Sequence, residues 1–277
     1  MKKLFASLAI FFVALAITGC IDVKTKIKVN KDGSGTIEET MLMSGEMVEM
    51  MKQFMSGFAA DSTDTQEFNL YNEEEIKNKA SDYGEGVQFI SGKELKEDGR
   101  EGYTAIYSFA DLNKLRFDQN PDSKIPEGVE AAAGQEPEKK EYITFRFDRN
   151  DGSEITVNMP PASKESEKDD STMDMGDTST DSLNAGDLSK LKDLLKDFNI
   201  SLVVETDGEI KETNASYVDK SSVTLFDLNF NLLLDDPEKL KALKKINPGD
   251  MQEVKDILKD VTGIKIETNN PVKIKFD

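Results

Sequence analysis

The sequence predicts an α+β fold: an antiparallel sheet built from hairpins, with helices between them and a disordered acidic insert. Three observations predict it. Short runs that alternate apolar and polar residues come in pairs, joined by turns rich in Gly, Asp and Asn, as half-buried strands in hairpins do. Between these pairs lie stretches whose apolar residues recur at helical spacing. Residues 160–187 are low in complexity, with eight acidic and two basic residues, and cannot bury enough apolar surface to order themselves.

The chain opens with Lys2 and Lys3 and a run from Leu4 to Leu15 that is apolar but for Ser7. That is the charged and apolar part of an export signal, too short for a comfortable membrane span of ~20 residues. Ile17-Thr18-Gly19-Cys20 follows and holds the sole cysteine. The block resembles the lipobox of bacterial lipoproteins, which implies cleavage between Gly19 and Cys20 and a lipid on the Cys20 thiol. Residues 1–19 are then the signal peptide, and no other apolar run in the chain approaches spanning length.

Val23 to Val29 and Thr36 to Leu42 read as a hairpin around the glycine-rich turn Asn30–Gly35. Its first strand starts about two residues after Cys20, a tether of roughly 7 Å. The domain is expected close against the membrane. Ser44 then caps a helix that carries Met47, Met50, Met51, Phe54, Met55 and Phe58 at helical spacing. Such a face fills a core, with Met as the flexible gap-filler, or lines an apolar ligand groove, and its thioethers would also suit Cu(I). The groove is the candidate binding site; no metal site and no cofactor is assigned.

Asn72 and Glu75 form a capping pair for a short helix to about Asp82, which Gly84 and Gly86 stop. Val87–Leu95 and Tyr103–Phe109 make a second hairpin around Glu97–Arg100, and Ser108 is placed to cap one helical turn after it. A surface loop follows to about Lys140. Tyr142–Phe147 and Glu154–Met159 make a third hairpin; its turn lacks the ligand pattern of a calcium loop. Leu188, Leu191, Leu194, Leu195 and Phe198 form a helical stripe after the acidic insert. Ser201–Glu205 and Glu209–Tyr217 are expected to pair around Asp207-Gly208, with a strand from Val223 to Phe230 after them. Two helices, opened by Pro237 and capped by Asp250, lead to a last hairpin, Ile264–Thr268 with Val272–Phe276. The expected organisation is one domain over 20–159 and 188–235, interrupted by the linker 160–187, with a helical segment and hairpin over 236–277. Asn199-Ile200-Ser201 and Asn214-Ala215-Ser216 match the glycosylation sequon by chance.

Composition narrows the chemistry. Removing residues 1–19 takes away two lysines and leaves 33 basic against 54 acidic residues, a formal charge of −21. Such a chain has no footprint for nucleic acid and no basic patch for anionic lipid. Its membrane partner must be reached through acyl chains on Cys20. With no His, and with Cys20 committed to lipid, a Ser-His-Asp triad, a Cys-His pair, His-ligated zinc and disulfides are excluded. Carboxylates, Lys, Tyr and Ser remain for catalysis, but none sits in a recognisable motif; an enzyme built on carboxylates is the third reading, and no catalytic residue is assigned.

The order of elements resembles the LppM-like family of bacterial lipoproteins. The carrying residues are Cys20 followed at once by a strand, Asp32-Gly33-Ser34-Gly35-Thr36, Gly102-Tyr103, Phe109 through Leu115, Gly208-Glu209-Ile210, Thr213-Asn214-Ala215 and Val218 through Thr224. The match covers roughly residues 20–118 and 188–232. It implies a sheet curled around one or more helices, similar to helix-grip lipid-binding folds, and brings no catalytic residues. The chain departs from the family in its own segment 236–277 and in lacking the C-terminal membrane helix of some members. Together these readings predict a non-enzymatic lipoprotein of the cell envelope that binds a lipid, another apolar ligand or an envelope partner. A structural scaffold without a ligand is the alternative. Ile21, not Asp, after the cysteine suggests the outer membrane in a two-membrane cell.

Overall fold

The computed structural model describes residues 21–59, 69–118, 142–149, 152–160, 199–229, 261 and 263–277. The expected linker beyond Pro160, the Leu188–Phe198 stripe and the helices at Pro237 and Asp250 lie outside the described residues. What is described is mostly β, in two sheets around one core.

The first hairpin forms as its alternation demands. β1 (Ile21–Val29) and β2 (Gly35–Ser44) pair antiparallel, Ile27 opposite Ile37. Their turn is closed by Asn30 N–H on the Ser34 carbonyl at 2.8 Å and by the Asp32 carboxylate, which accepts from the Ser34 backbone and hydroxyl. β3 (Gln88–Glu97) and β4 (Arg100–Phe109) pair the same way across Asp98 and Gly99. Both turn residues hold positive φ, 50° and 73°, as the tightest hairpin turns require. β4 also pairs with β2.

The other edge of β1 is filled from far along the chain. β8 (Asn199–Thr206) runs parallel to β1, with Val204 beside Ile27. β11 (Ser222–Asn229) pairs antiparallel with β8, and β10 (Val218–Asp219) and β12 (Lys265–Ile266) both pair with β11. The first sheet thus runs β10-β11-β8-β1-β2-β4-β3. In the second sheet, β5 (Arg116–Asp118), β6 (Tyr142–Asp148), β7 (Ser153–Asn158), β13 (Val272–Phe276) and β9 (Ile210–Thr213) lie in that order. The inner faces meet: Ile27, Ile37 and Leu202 of one sheet and Ile143, Ile155 and Ile274 of the other join a single buried cluster.

Three hairpins therefore match expectation, and four expectations are corrected. The sheet is mixed, not antiparallel throughout, because β1 takes a parallel partner. β8 and β9 do not form a hairpin. After Thr206 the chain crosses to the second sheet, held there by Asp207 N–H on the Val29 carbonyl at 2.9 Å and by the Thr206 hydroxyl near the Gly208 and Ser221 carbonyls. The last hairpin is likewise absent, since β12 joins one sheet and β13 the other. Glu267, 2% exposed, sits at that crossing and accepts from the backbone N–H groups of Ser216, Thr268 and Asn269. Those donors would otherwise be orphaned by leaving a ladder. Finally, Ser108 lies within β4, and Asp111 caps the 3₁₀ turn Leu112–Lys114 by accepting from Asn113 N–H at 3.0 Å.

Two helices pack beside the first sheet. α1 (Gly45–Ala59) begins where β2 ends, with Met47 N–H donating to the Ser44 hydroxyl at 3.2 Å. It lies against β2 and β4. α2 (Glu73–Asn78) is capped by Asn72, which accepts from Glu74 and Glu75 N–H and donates to the Glu75 carboxylate at 2.7 Å. A 3₁₀ turn, Lys79–Ser81, extends it, and Gly84 at φ 128° ends the segment.

Gly102 shows how tight the β2–β4 pairing is. A Cβ there would stand 1.9 Å from the Met41 carbonyl oxygen, a backbone atom that cannot give way. Gly102→Ala is therefore expected to cost more than about 3 kcal/mol or to prevent folding, as overpacking against backbone does. Gly86→Ala, at φ 83° but with nothing within 4 Å, should cost about 1 kcal/mol. Denaturant midpoints of the two variants check this ordering.

Candidate functional site

Gly19 and Cys20 lie outside the described residues, which begin at Ile21. Ile21 is already the first residue of β1, so no described residue serves as a spacer between Cys20 and the sheet. Among the described residues no helix is long and apolar enough to cross a membrane.

Of the six residues of the candidate groove, Met47 and Met51 are placed in the core, 2% and 1% exposed. They join Val48, Met41 and Met43 in the buried cluster against β2 and β4. The side chains of Met50, Phe54, Met55 and Phe58 lie outside the described ones. An open depression of about 700 Å³ lies elsewhere, beside α2, lined by Lys77, Ser81, Glu85 and Arg116 among others. Its charged rim is unlike an apolar groove.

The structure also assembles a buried polar cluster over the same sheet face. Glu39, in β2, is 1% exposed. Its two carboxylate oxygens accept from Tyr83 OH at 2.5 Å and from Tyr103 OH at 2.7 Å. Lys79 Nζ donates to Tyr103 OH at 2.6 Å and stands 3.6 Å from the carboxylate, so the proton chain runs Lys79 to Tyr103 to Glu39. Tyr107 OH donates to the Ile76 carbonyl at 3.0 Å. Across β1, Thr25 lies opposite Glu39 in register, 2% exposed, its hydroxyl without a hydrogen-bond partner among the described residues. A buried carboxylate is tolerated only when paired and hydrogen-bonded, and here the partners come from β4 and from the α2 segment. The cluster fastens residues 72–84 to the sheet.

Burial, and after it the Glu39 charge, holds the Tyr83 and Tyr103 hydroxyls far above the usual tyrosine range. Burial likewise raises Tyr107. All three remain donors through neutral pH. Sequence inspection passed over Glu39, although the signal was there: it falls in phase with Ile37 and Met41, on the apolar side of β2. Its partners Lys79, Tyr83 and Tyr103, 40 or more residues away, leave no such trace.

Compared with known proteins, the chain matches no family model, and no curated protein matches it by sequence. Among solved structures it is similar to the folded domain of LppM from Mycobacterium tuberculosis, determined by NMR. The identity is 10%, the TM-score 0.32, and the alignment covers 94% of this chain and 91% of that one. A superposition that loose leaves this chain's own residues to carry the functional reading.

Two outcomes are expected of the cluster. Glu39→Ala strands two buried phenols and a lysine and should lower stability by about 3–5 kcal/mol, against ~1–2 for Tyr83→Phe. Equilibrium unfolding of both variants measures this. The tyrosine shifts add a pH dependence of definite sign. Their folded values lie above the unfolded value near 10, so the unfolded chain releases protons first as pH rises. Stability from these groups is full below about pH 10 and falls above it, and phenolate absorbance from Tyr83 and Tyr103 should appear only with unfolding.

Proposed function

We propose that this chain is a non-enzymatic lipoprotein of the cell envelope, cleaved between Gly19 and Cys20 and held on the membrane by acyl chains on Cys20. The observation that carries the reading is the position of Ile21. The residue after the candidate lipidation site opens a strand that is hydrogen-bonded on both sides within the first sheet. A folded domain hung directly on an acylated cysteine needs no spanning segment, and two acyl chains anchor firmly at ~0.8 kcal/mol per buried methylene. Outer-membrane placement in a two-membrane cell belongs to the same proposal, as does a sheet curled helix-grip fashion around α1.

Its activity is proposed to be binding: a lipid or other apolar ligand on the α1 face, or an envelope protein. The methionine content of α1 supports the first, because Met-rich faces suit exchangeable apolar partners. The burial of Met47 and Met51 supports the alternative, a scaffold whose methionines only fill the core.

Cys20→Ala is expected to move the protein from the membrane to the soluble fraction. Retention of the variant on salt-washed membranes would show that something other than acyl chains holds it. For the ligand, unlipidated protein with its α1 intact should yield lipid on organic extraction and mass analysis, and a Met50→Asp variant should yield less. A well-folded parent that yields none leaves the scaffold reading.

A further inference from the structure

The register of the first sheet decides which end of the domain faces the anchor. β1 leaves Cys20 with no residue to spare, and one extended residue spans only about 3.5 Å. Ile21 stands opposite Met43, Asp22 beside Asn199, and Ser44 opposite Arg100. Glu97 pairs with Arg100, and Gly45 N–H donates to the Gly99 carbonyl at 2.9 Å. The β3–β4 turn, the start of α1 and the start of β8 therefore share one rim with the anchor.

That rim is clamped where an anchor would pull. Asp22, 7% exposed, accepts from Lys24 Nζ at 2.8 Å, Asn199 Nδ2 at 3.0 Å and Arg100 Nη1 at 3.5 Å. One carboxylate thus ties β1 to β8 and, across β2, to β4. The β1–β2 turn at Lys31–Gly33 lies at the other end of a nine-residue strand, about 30 Å away at ~3.3 Å per residue. The rim turn is acidic: Glu94, Glu97, Asp98 and Glu101 outnumber Lys96 and Arg100.

We propose that the rim formed by Glu97–Arg100 and Ser44–Gly45 rests on a lipid surface of neutral headgroups, and that the domain is held in one orientation with the β1–β2 turn facing away. The proposal rests on acylation at Cys20. It adds that the missing spacer and the Asp22 clamp leave the sheet no freedom to turn over, and that the acidic turn disfavours anionic headgroups.

The test uses the acylated mature chain, residues 20–277, whose only cysteine is consumed by the lipid. Glu97→Cys and Lys31→Cys each add one labelling site, at the near and far ends of the sheet. Protein bearing a donor dye is reconstituted in phosphatidylcholine vesicles that carry an acceptor dye on the headgroups. Transfer from position 97 should exceed that from position 31 at least about twofold, given a ~30 Å difference in height. Lys96→Cys and Asp207→Cys repeat the comparison, should either first variant fold poorly. Replacing a third of the lipid with phosphatidylglycerol should lower transfer from position 97. Equal transfer from the two ends, or more from the far end, overturns the orientation, and increased transfer on anionic vesicles overturns the headgroup preference. Failure of the protein to float with vesicles at all would instead overturn acylation, and is read before any transfer is measured.

Discussion

The rest of the structure depends on β1 having two partners. A strand inside a sheet must satisfy backbone groups along both edges, and an edge left open to solvent invites foreign pairing. β2 fills one edge by way of a tight turn, from Gly35 opposite Val29 to Met43 opposite Ile21. β8 fills the other from more than 170 residues downstream, in parallel. Once β8 is in place, β11, β10 and β12 extend the sheet beyond it. Leu202, Val204, Val223 and Leu225 are thereby committed to the same core as the first hairpin.

The two sheets are joined by chain crossings, and at two of those among the described residues a polar side chain takes over from the abandoned ladder. Thr206 serves after β8, and Glu267 serves between β12 and β13. Asn214 adds to the second crossing, accepting from Lys273 N–H at 2.7 Å and donating to the Pro271 carbonyl at 3.0 Å. Glu39 plays a related part for the helical segment, collecting two phenols and a lysine on a face otherwise apolar. Replacing such a cluster with packed apolar residues is often neutral or stabilising, so its worth lies in specifying where residues 72–84 dock.

These features bear on function through rigidity. A candidate anchor joined to β1 without a spacer transmits the orientation of the whole sheet, whereas a flexible linker would have discarded it. The methionines of β2 and α1 are divided by the same geometry. Met41, Met43, Met47 and Met51 belong to the core, so any ligand on the α1 face would have to meet other residues of that helix.

The sequence by itself determined the three local hairpins, the caps at Ser44 and Asn72, and the turn at Asp98-Gly99. Each depends on residues within a few positions of one another, where period-two alternation and turn chemistry speak directly. It also marks Cys20, which lies outside the described residues. Only the tertiary structure decided that β8 lies parallel to β1, that β9 and β13 leave their sequence neighbours for the second sheet, and that Glu39 meets Tyr83, Tyr103 and Lys79. Alternation says which face of a strand is buried but not which strand lies beside it. An open edge accepts whichever distant segment brings matching side chains and can satisfy its own backbone on the way, and that choice is made by the assembled core.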